Sequence, residues 1–292
     1  MLGRPIAHSL SPALHRAAYR WLHLPWTYEA LDTGPDELPS FVEGLDSSWA
    51  GLSLTMPLKE SVMPLLDDVE PLAQVIRSVN TVVLSPSGRF GHNTDVPGLV
   101  AVLREHAVTD LPTATVLGAG ATARSALAAL VSLGVRRVTV CARRPERVSA
   151  LGRWVDAVVA TGSGWVAPQL VVRPWEEAGR ELGAAVVVST VPAGASDALV
   201  ADLIGAPARR GLLVDVVYHP WPTPLAAAWQ QAGGPVAGGL DLLVHQAVGQ
   251  VELMTGRAVP AAVLREVGQA ELLARRHADG GRSRGAARPP KQ

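Results

Sequence analysis

Apolar residues recur along this chain in two rhythms, and the switches between them mark out its elements. In the middle third, short apolar runs of β type at residues 114–117, 137–141, 184–189 and 212–217 alternate with helical stretches, the clearest spanning 122–133. Such alternation predicts βαβ units around a parallel sheet. Earlier runs at 27–31, 51–54 and 81–84 read as strands, and 12–21, 58–66 and 70–75 as helices, so the first part is α/β as well. At the start of the first helix, Ser11 is expected as N-cap with Pro12 at the first helical position. Met1-Leu2-Gly3 leaves almost no first strand before it, which puts the natural start upstream or the strand clipped.

After Gly238, residues 240–254 are apolar at helical spacing, and 260–275 form a second amphipathic stretch ending in basic residues. Both are expected to pack back on the first part. From Arg276 the chain is too polar and too rich in Gly and Pro to bury a core, so 276–292 is expected as a disordered tail. The division that follows is a discontinuous α/β domain, residues 1–97 with the helices of 242–275, facing a Rossmann domain over 98–241. A chain of 292 residues fits two cores better than one.

Composition narrows the function classes. A formal net charge of zero removes the broad electrostatic case for nucleic acid or an anionic membrane surface. No apolar run approaches the roughly 20 residues that cross a bilayer as a helix. One cysteine, Cys141, allows no internal disulfide, and the N-terminus lacks a signal-peptide pattern, so the cytoplasm is expected. The histidines and Cys141 show no ligand spacing, and no metal is expected.

One motif points to a cofactor. Thr113 to Leu117 lead directly into Gly118-Ala119-Gly120-Ala121-Thr122-Ala123, a Gly-x-Gly-x-x-Ala turn between a strand and a helix. Gly118 permits the tight turn, Gly120 lets the backbone approach a pyrophosphate, and Ala123 keeps the helix close to the sheet. The helix N-terminus then offers free amides to the phosphates. A plain strand-to-helix turn is the bland alternative, and the strand that follows weighs against it. About 20 residues on, an NAD site carries Asp or Glu, whereas this chain reads Cys141-Ala142-Arg143-Arg144 with Arg147 close behind. Guanidinium groups pair with a 2′-phosphate, so NADP is preferred to NAD. For Arg147 a solvated helix start is an open alternative. Thr190, ending another strand at the same sheet edge, faces the nicotinamide half.

In the first part, Ser9-Leu10-Ser11-Pro12, Ser53-Leu54-Thr55-Met56-Pro57-Leu58-Lys59-Glu60, Asn80-Thr81 and His92-Asn93-Thr94-Asp95 gather hydroxyls, amides, a lysine and a carboxylate. Each taken singly also fits a cap or a surface loop. With Asp215-Val216-Val217-Tyr218, Gly239-Leu240 and Gln246-Ala247, their order and spacing resemble the shikimate dehydrogenase family along nearly the whole chain. That resemblance implies reversible NADPH-dependent reduction of 3-dehydroshikimate to shikimate, a step of the shikimate pathway. It implies a small-molecule partner, neither nucleic acid nor membrane, and a monomer or homodimer. Ser9, Ser11, Thr55, Asn80, Asp95, Tyr218 and Gln246 would surround the substrate in the first, substrate-binding domain, with Lys59 and Asp95 as the catalytic pair. Residues 118–122 would hold the phosphates, Arg143 with Arg144 or Arg147 the adenosine phosphate, and Val216 and Gly239 further parts of the cofactor, Gly239 through its backbone near the nicotinamide.

The chemistry suits those residue types. Hydride delivery to a carbonyl carbon puts negative charge on its oxygen, which an ammonium stabilises and protonates. Asp95 would orient that ammonium; direct proton transfer by Lys59 and relay through water or Asp95 are both open. Departures from the family pattern fall at Ser53-Leu54-Thr55, where Asn-Val-Thr is common, at Ala142-Arg143-Arg144, where Asn-Arg-Thr is common, and at Gly238-Gly239, where Asp-Gly is common. Two rivals are an NAD-dependent quinate/shikimate dehydrogenase and a non-catalytic NADP-binding regulatory relative.

Overall fold

The computed structural model describes residues 1–108, 111–144, 151–162, 164–203 and 211–285. The first part begins with β1 (Leu2–Gly3), α1 (Ser11–Trp21), β2 (Leu31–Asp32), α2 (Leu38–Glu43), β3 (Gly51–Ser53) and α3 (Leu58–Ser61). It continues with β4 (Asp68–Val69), α4 (Pro71–Ile76), β5 (Thr81–Ser85) and β6 (Gly88–His92). Strands β3, β5, β6 and β4 form a mixed sheet in that order, with the β5–β6 hairpin antiparallel. The β1–β2 pair is parallel, and Leu2 bridges Leu54, so this pair extends the sheet beyond β3. Leu2, Leu38, Leu52, Leu54, Leu58 and Val82 form its core.

Three expectations here are corrected. The strand expected at 27–31 pairs only at Leu31 and Asp32, because the Arg16 guanidinium takes the Tyr28 carbonyl at 2.7 and 3.0 Å and the partner strand is two residues long. The helix expected over 58–66 stops at Ser61 and resumes as a 3-10 turn at Met63–Leu65, since Pro64 has no amide to continue an α-helical ladder. Ser11 is the first helical residue and not its cap; the Ser9 hydroxyl accepts the Ser11 amide at 3.2 Å.

The connecting helix α5 (Asp95–Glu105) leads to β7 (Thr113–Leu117), α6 (Ala121–Ser132), β8 (Arg137–Ala142), α7 (Leu151–Ala160), β9 (Gln169–Pro174) and β10 (Val186–Ser189). Beyond them come β11 (Leu212–Asp215), α8 (Pro224–Gln231) and β12 (Val236–Ala237). Among the described residues six strands form a parallel sheet in the order β12-β11-β10-β7-β8-β9, the doubly wound Rossmann order. Alternate strand residues serve opposite cores. Val116, Val140, Val188 and Val214 pack with α5 and α6 residues such as Leu103 and Leu127, while Leu117, Cys141, Val187 and Leu213 pack with Leu225 and Trp229 of α8. Both faces are covered, which explains the largely apolar runs, in which Thr115 and Thr139 are the buried polar positions of β7 and β8. Fully burying each such side chain contributes roughly 1.5–3 kcal/mol.

The chain ends in α9 (Gly239–Thr255) and α10 (Ala261–Gly285), which pack against α1. Leu14 and Ala18 of α1, with Leu22 at its C-cap, share a core with Val244, Ala247, Val251 and Leu264 of these helices. The expected start of a tail at Arg276 is corrected: α10 runs on to Gly285, and Arg276 bonds the Trp221 carbonyl at 2.7 Å. Residues 286–292 lie outside the described residues. No described helix is long and apolar enough to cross a membrane.

Candidate active site

Lys59, Asn80 and Asp95 meet where the first part faces the Rossmann sheet. Lys59 lies in the short helix after β3, Asn80 immediately before β5, and Asp95 at the first position of α5. Lys59 Nζ donates to Asp95 Oδ2 at 2.5 Å, and Asn80 Nδ2 donates to Asp95 Oδ1 at 2.8 Å. With both carboxylate oxygens occupied, Asp95 has one orientation. The side chains of Lys59 and Asp95 are 13% and 10% exposed, so they are largely screened from bulk water yet keep an accessible edge. Asn80 is itself clamped: its Oδ1 accepts the Thr94 amide at 2.8 Å and the Thr81 hydroxyl at 2.8 Å. A largely buried cluster of this kind holds an ammonium with donors to spare, ready to face an oxygen that gains charge.

The other residues expected on the substrate side are held as follows. The Thr55 amide bonds Leu2 O at 3.0 Å, and a Cβ on Gly3 would lie 2.3 Å from Thr55 Cγ2, so β1 is held tight against the Thr55 turn. Ser9 stands next to Tyr218. Burial pushes the Tyr218 phenol up, while Arg275, the Ser9 hydroxyl and the Leu10 amide pull it down. Gln246 is buried on α9, and its Nε2 bonds Leu243 O at 2.9 Å rather than a residue of the Lys59 cluster. Its helix nonetheless approaches α5 closely, since a Cβ on Gly98 would stand 3.1 Å from Gln246 N.

Several participants escaped the sequence reading. Gln250, one turn beyond Gln246, accepts from Ser53 at 2.9 Å and donates to Asn80 O at 2.9 Å and to Thr81 Oγ1 at 3.0 Å. Its helical spacing from Gln246 was the available signal. His15 stacks on Tyr28 at 4.1 Å beneath this network, with Nδ1 against Ser11 O at 2.9 Å. Arg124 of α6 crosses to the first part, donating to Ile76 O at 2.6 Å, Arg77 O at 3.0 Å and Glu60 Oε2 at 3.2 Å, next to Lys59.

On the Rossmann side, Gly118 sits at φ 114°, where a Cβ would lie 2.5 Å from Thr190 Oγ1, so only glycine fits. Thr190 donates its amide and its hydroxyl to Leu117 O at 2.9 and 2.8 Å, tying the ends of β7 and β10 together at the topological switch point. A Cβ on Gly120 would meet nothing within 4 Å, which leaves open space above the α6 N-terminus formed by Ala121 and Thr122. Ala119 lies between the two glycines. Arg143 and Arg144 are exposed after β8, whereas Arg147 lies outside the described residues. Gly239 is pressed against Val216, whose carbonyl oxygen would be 2.2 Å from a Cβ there. Asp215 is buried, accepts from Thr223 at 2.7 Å and from the Val217 amide at 3.2 Å, and so shapes the loop carrying Tyr218.

A glycine turn at the switch point, a helix N-terminus over open space and exposed arginines after the second strand fit a 2′-phosphorylated dinucleotide. Fold and site together define a two-part dehydrogenase of the nicotinamide-dinucleotide class. The comparisons narrow the class. A family profile described as the shikimate dehydrogenase substrate binding domain matches residues 1–82, and one described as the shikimate 5'-dehydrogenase C-terminal domain matches 239–267. The chain is 38% identical to a shikimate dehydrogenase (NADP(+)) of Methylobacterium radiotolerans, covering 88% of this chain and 90% of that one. Among solved structures, shikimate dehydrogenase of Mycobacterium tuberculosis superposes with a TM-score of 0.79 at 39% identity, covering 92% and 97% of the two chains. Shikimate 5-dehydrogenase of Thermus thermophilus in complex with NADP(H) and shikimate superposes with a TM-score of 0.76 at 33% identity, covering 92% and 97%. The chain belongs to the shikimate dehydrogenase family.

Proposed function

We propose that the protein is an NADP-dependent shikimate dehydrogenase that interconverts 3-dehydroshikimate and shikimate in the cytoplasm, as a monomer or homodimer. The observation that carries this reading is the Lys59–Asp95 pair, clamped by Asn80 and adjoining Glu60, which Arg124 ties to α6, the helix that follows the glycine turn. In this reading residues 1–97 with 242–275 make the substrate domain, and 98–241 the cofactor domain. The relatives named for this activity support it.

NADPH, when bound, supplies the hydride. Gly118 to Thr122 hold its phosphates, Arg143 and Arg144 its 2′-phosphate, and Thr190, Val216 and Gly239 line its nicotinamide end. Lys59 stabilises the alkoxide that forms on the substrate oxygen and gives it a proton, and in the reverse direction takes that proton back. Asp95 aims the ammonium and balances its charge. Thr55, Asn80 and Gln246 bind ring hydroxyls, and the hydroxyls of Ser9, Ser11 and Tyr218 receive the carboxylate.

Replacing Lys59 with Ala tests the reading. Turnover should fall by about 10²–10⁴-fold, the usual contribution of a positioned proton donor, while titration shows shikimate still bound. Wild-type turnover in that variant would remove Lys59 from the mechanism.

A further inference from the structure

Past its middle, α10 touches two separate loops through consecutive arginines. Arg275 donates from Nη1 to His8 O at 2.6 Å and from Nη2 to Ser9 O at 3.2 Å. Arg276 donates to Trp221 O at 2.7 Å, in the loop that follows β11 and carries Tyr218. The same two loops meet a second time, where the His8 ring stacks on that of His219 with centroids 6.1 Å apart. One helix therefore holds the serine loop and the tyrosine loop together.

We infer that Arg275 is a positioning and specificity-determining residue for the substrate carboxylate: its fork fixes the serine loop through two carbonyls, and its charge stands beside Ser9 and Tyr218. The inference rests on the proposed reading in which Ser9, Ser11 and Tyr218 receive that carboxylate. Those three groups are neutral hydroxyls, which donate hydrogen bonds to a carboxylate but bring no countercharge to it. Carbonyl acceptors engage the guanidinium without neutralising it, so the positive charge acts on whatever lies before the serine loop. Its field already reaches Tyr218, where it opposes the upward push of burial on the phenol. A flexible lysine carries the same charge but lacks the planar fork that spans two carbonyls.

The test uses full-length Arg275→Gln and Arg275→Lys proteins with NADP at a fixed, saturating concentration. KM and kcat are measured for shikimate, and the inhibition constant for shikimate methyl ester, which lacks the anionic charge. The Gln variant should raise the KM for shikimate by about tenfold or more, the scale of a lost charge-assisted contact. Its kcat should stay within about twofold, with the Lys variant in between and ester binding changed by about twofold or less. An unchanged KM for shikimate in the Gln variant overturns the inference, as does equal weakening of shikimate and ester, which would mark Arg275 as a docking residue of α10 only. A wild-type protein that turns over no shikimate would instead overturn the proposed function, and the inference with it.

Discussion

Asn80 orients Asp95: its Nδ2 lies 2.8 Å from Asp95 Oδ1, while its own Oδ1 accepts the Thr94 amide at 2.8 Å. Changing Asn80 to Ala removes the donor and leaves a buried amide without an acceptor, at a cost of about 1–3 kcal/mol. Because Asp95 in turn aims Lys59, kcat/KM for shikimate should fall about 5- to 150-fold, the kinetic equivalent of that range. Steady-state kinetics check this, and unchanged kcat/KM would remove Asn80 from the positioning chain.

Two glycines separate cofactor space from packing. At Gly120 a Cβ meets nothing within 4 Å, so Gly120→Ala should leave unfolding free energy within about 0.5 kcal/mol of wild type. The KM for NADP should nevertheless rise, because the methyl group occupies the space through which the pyrophosphate approaches the backbone. At Gly239 a Cβ would lie 2.2 Å from the Val216 carbonyl oxygen, which is backbone and cannot swing aside. Gly239→Ala should therefore destabilise the fold, by about 1–3 kcal/mol in denaturant unfolding. Reversed behaviour of the two variants would contradict the assignment of the open space to the cofactor.

Arg143 and Arg144 are exposed where a 2′-phosphate would be read. The double change to Ala should lower the NADP-to-NAD ratio of kcat/KM by at least about tenfold, since charge-assisted contacts to phosphate are the stronger class of hydrogen bond. NAD kinetics should move little. A preserved ratio would assign the phosphate to other residues.

Burial depresses the His15 imidazole from its ordinary 6.5 to about 4. A depressed histidine pKa means that the unfolded chain takes up the proton first. Above pH 6.5 neither state is protonated and stability is unaffected; between pH 6.5 and about 4 stability falls as pH falls, and below that the loss levels off. The loss should be on the order of 2 kcal/mol by pH 4.5. Urea unfolding at pH 7.5 and 4.5 should show a steeper drop for wild type than for His15→Gln, and equal drops would contradict the burial argument.

Much of the fold was legible because local rules and tertiary packing agree. Largely apolar runs at β7, β8, β10 and β11 announce strands buried on both faces, and the Gly118 to Ala123 turn sits where the switch point requires it. Helix α5 was not assigned from the sequence; Pro97 falls in its first turn, where no amide donor is needed, and Gly98 admits the α9 backbone. Lys59, Asn80 and Asp95 were visible through family resemblance, since a lone lysine or aspartate carries no local signal. Gln250 stands one helical turn from Gln246, which marks its face of α9, but its pairing with Ser53, 197 residues away, comes only from the packing of α9. The polar composition after Arg275 suggested a tail because the contacts of Arg276 lie in a distant loop.

The most direct measurement is absorbance of the reduced nicotinamide with purified protein, shikimate or quinate, and NADP or NAD, in all four combinations. The account predicts the fastest reduction with shikimate and NADP. Fastest reduction with quinate and NAD, or no reduction by folded protein that binds NADP, would contradict it.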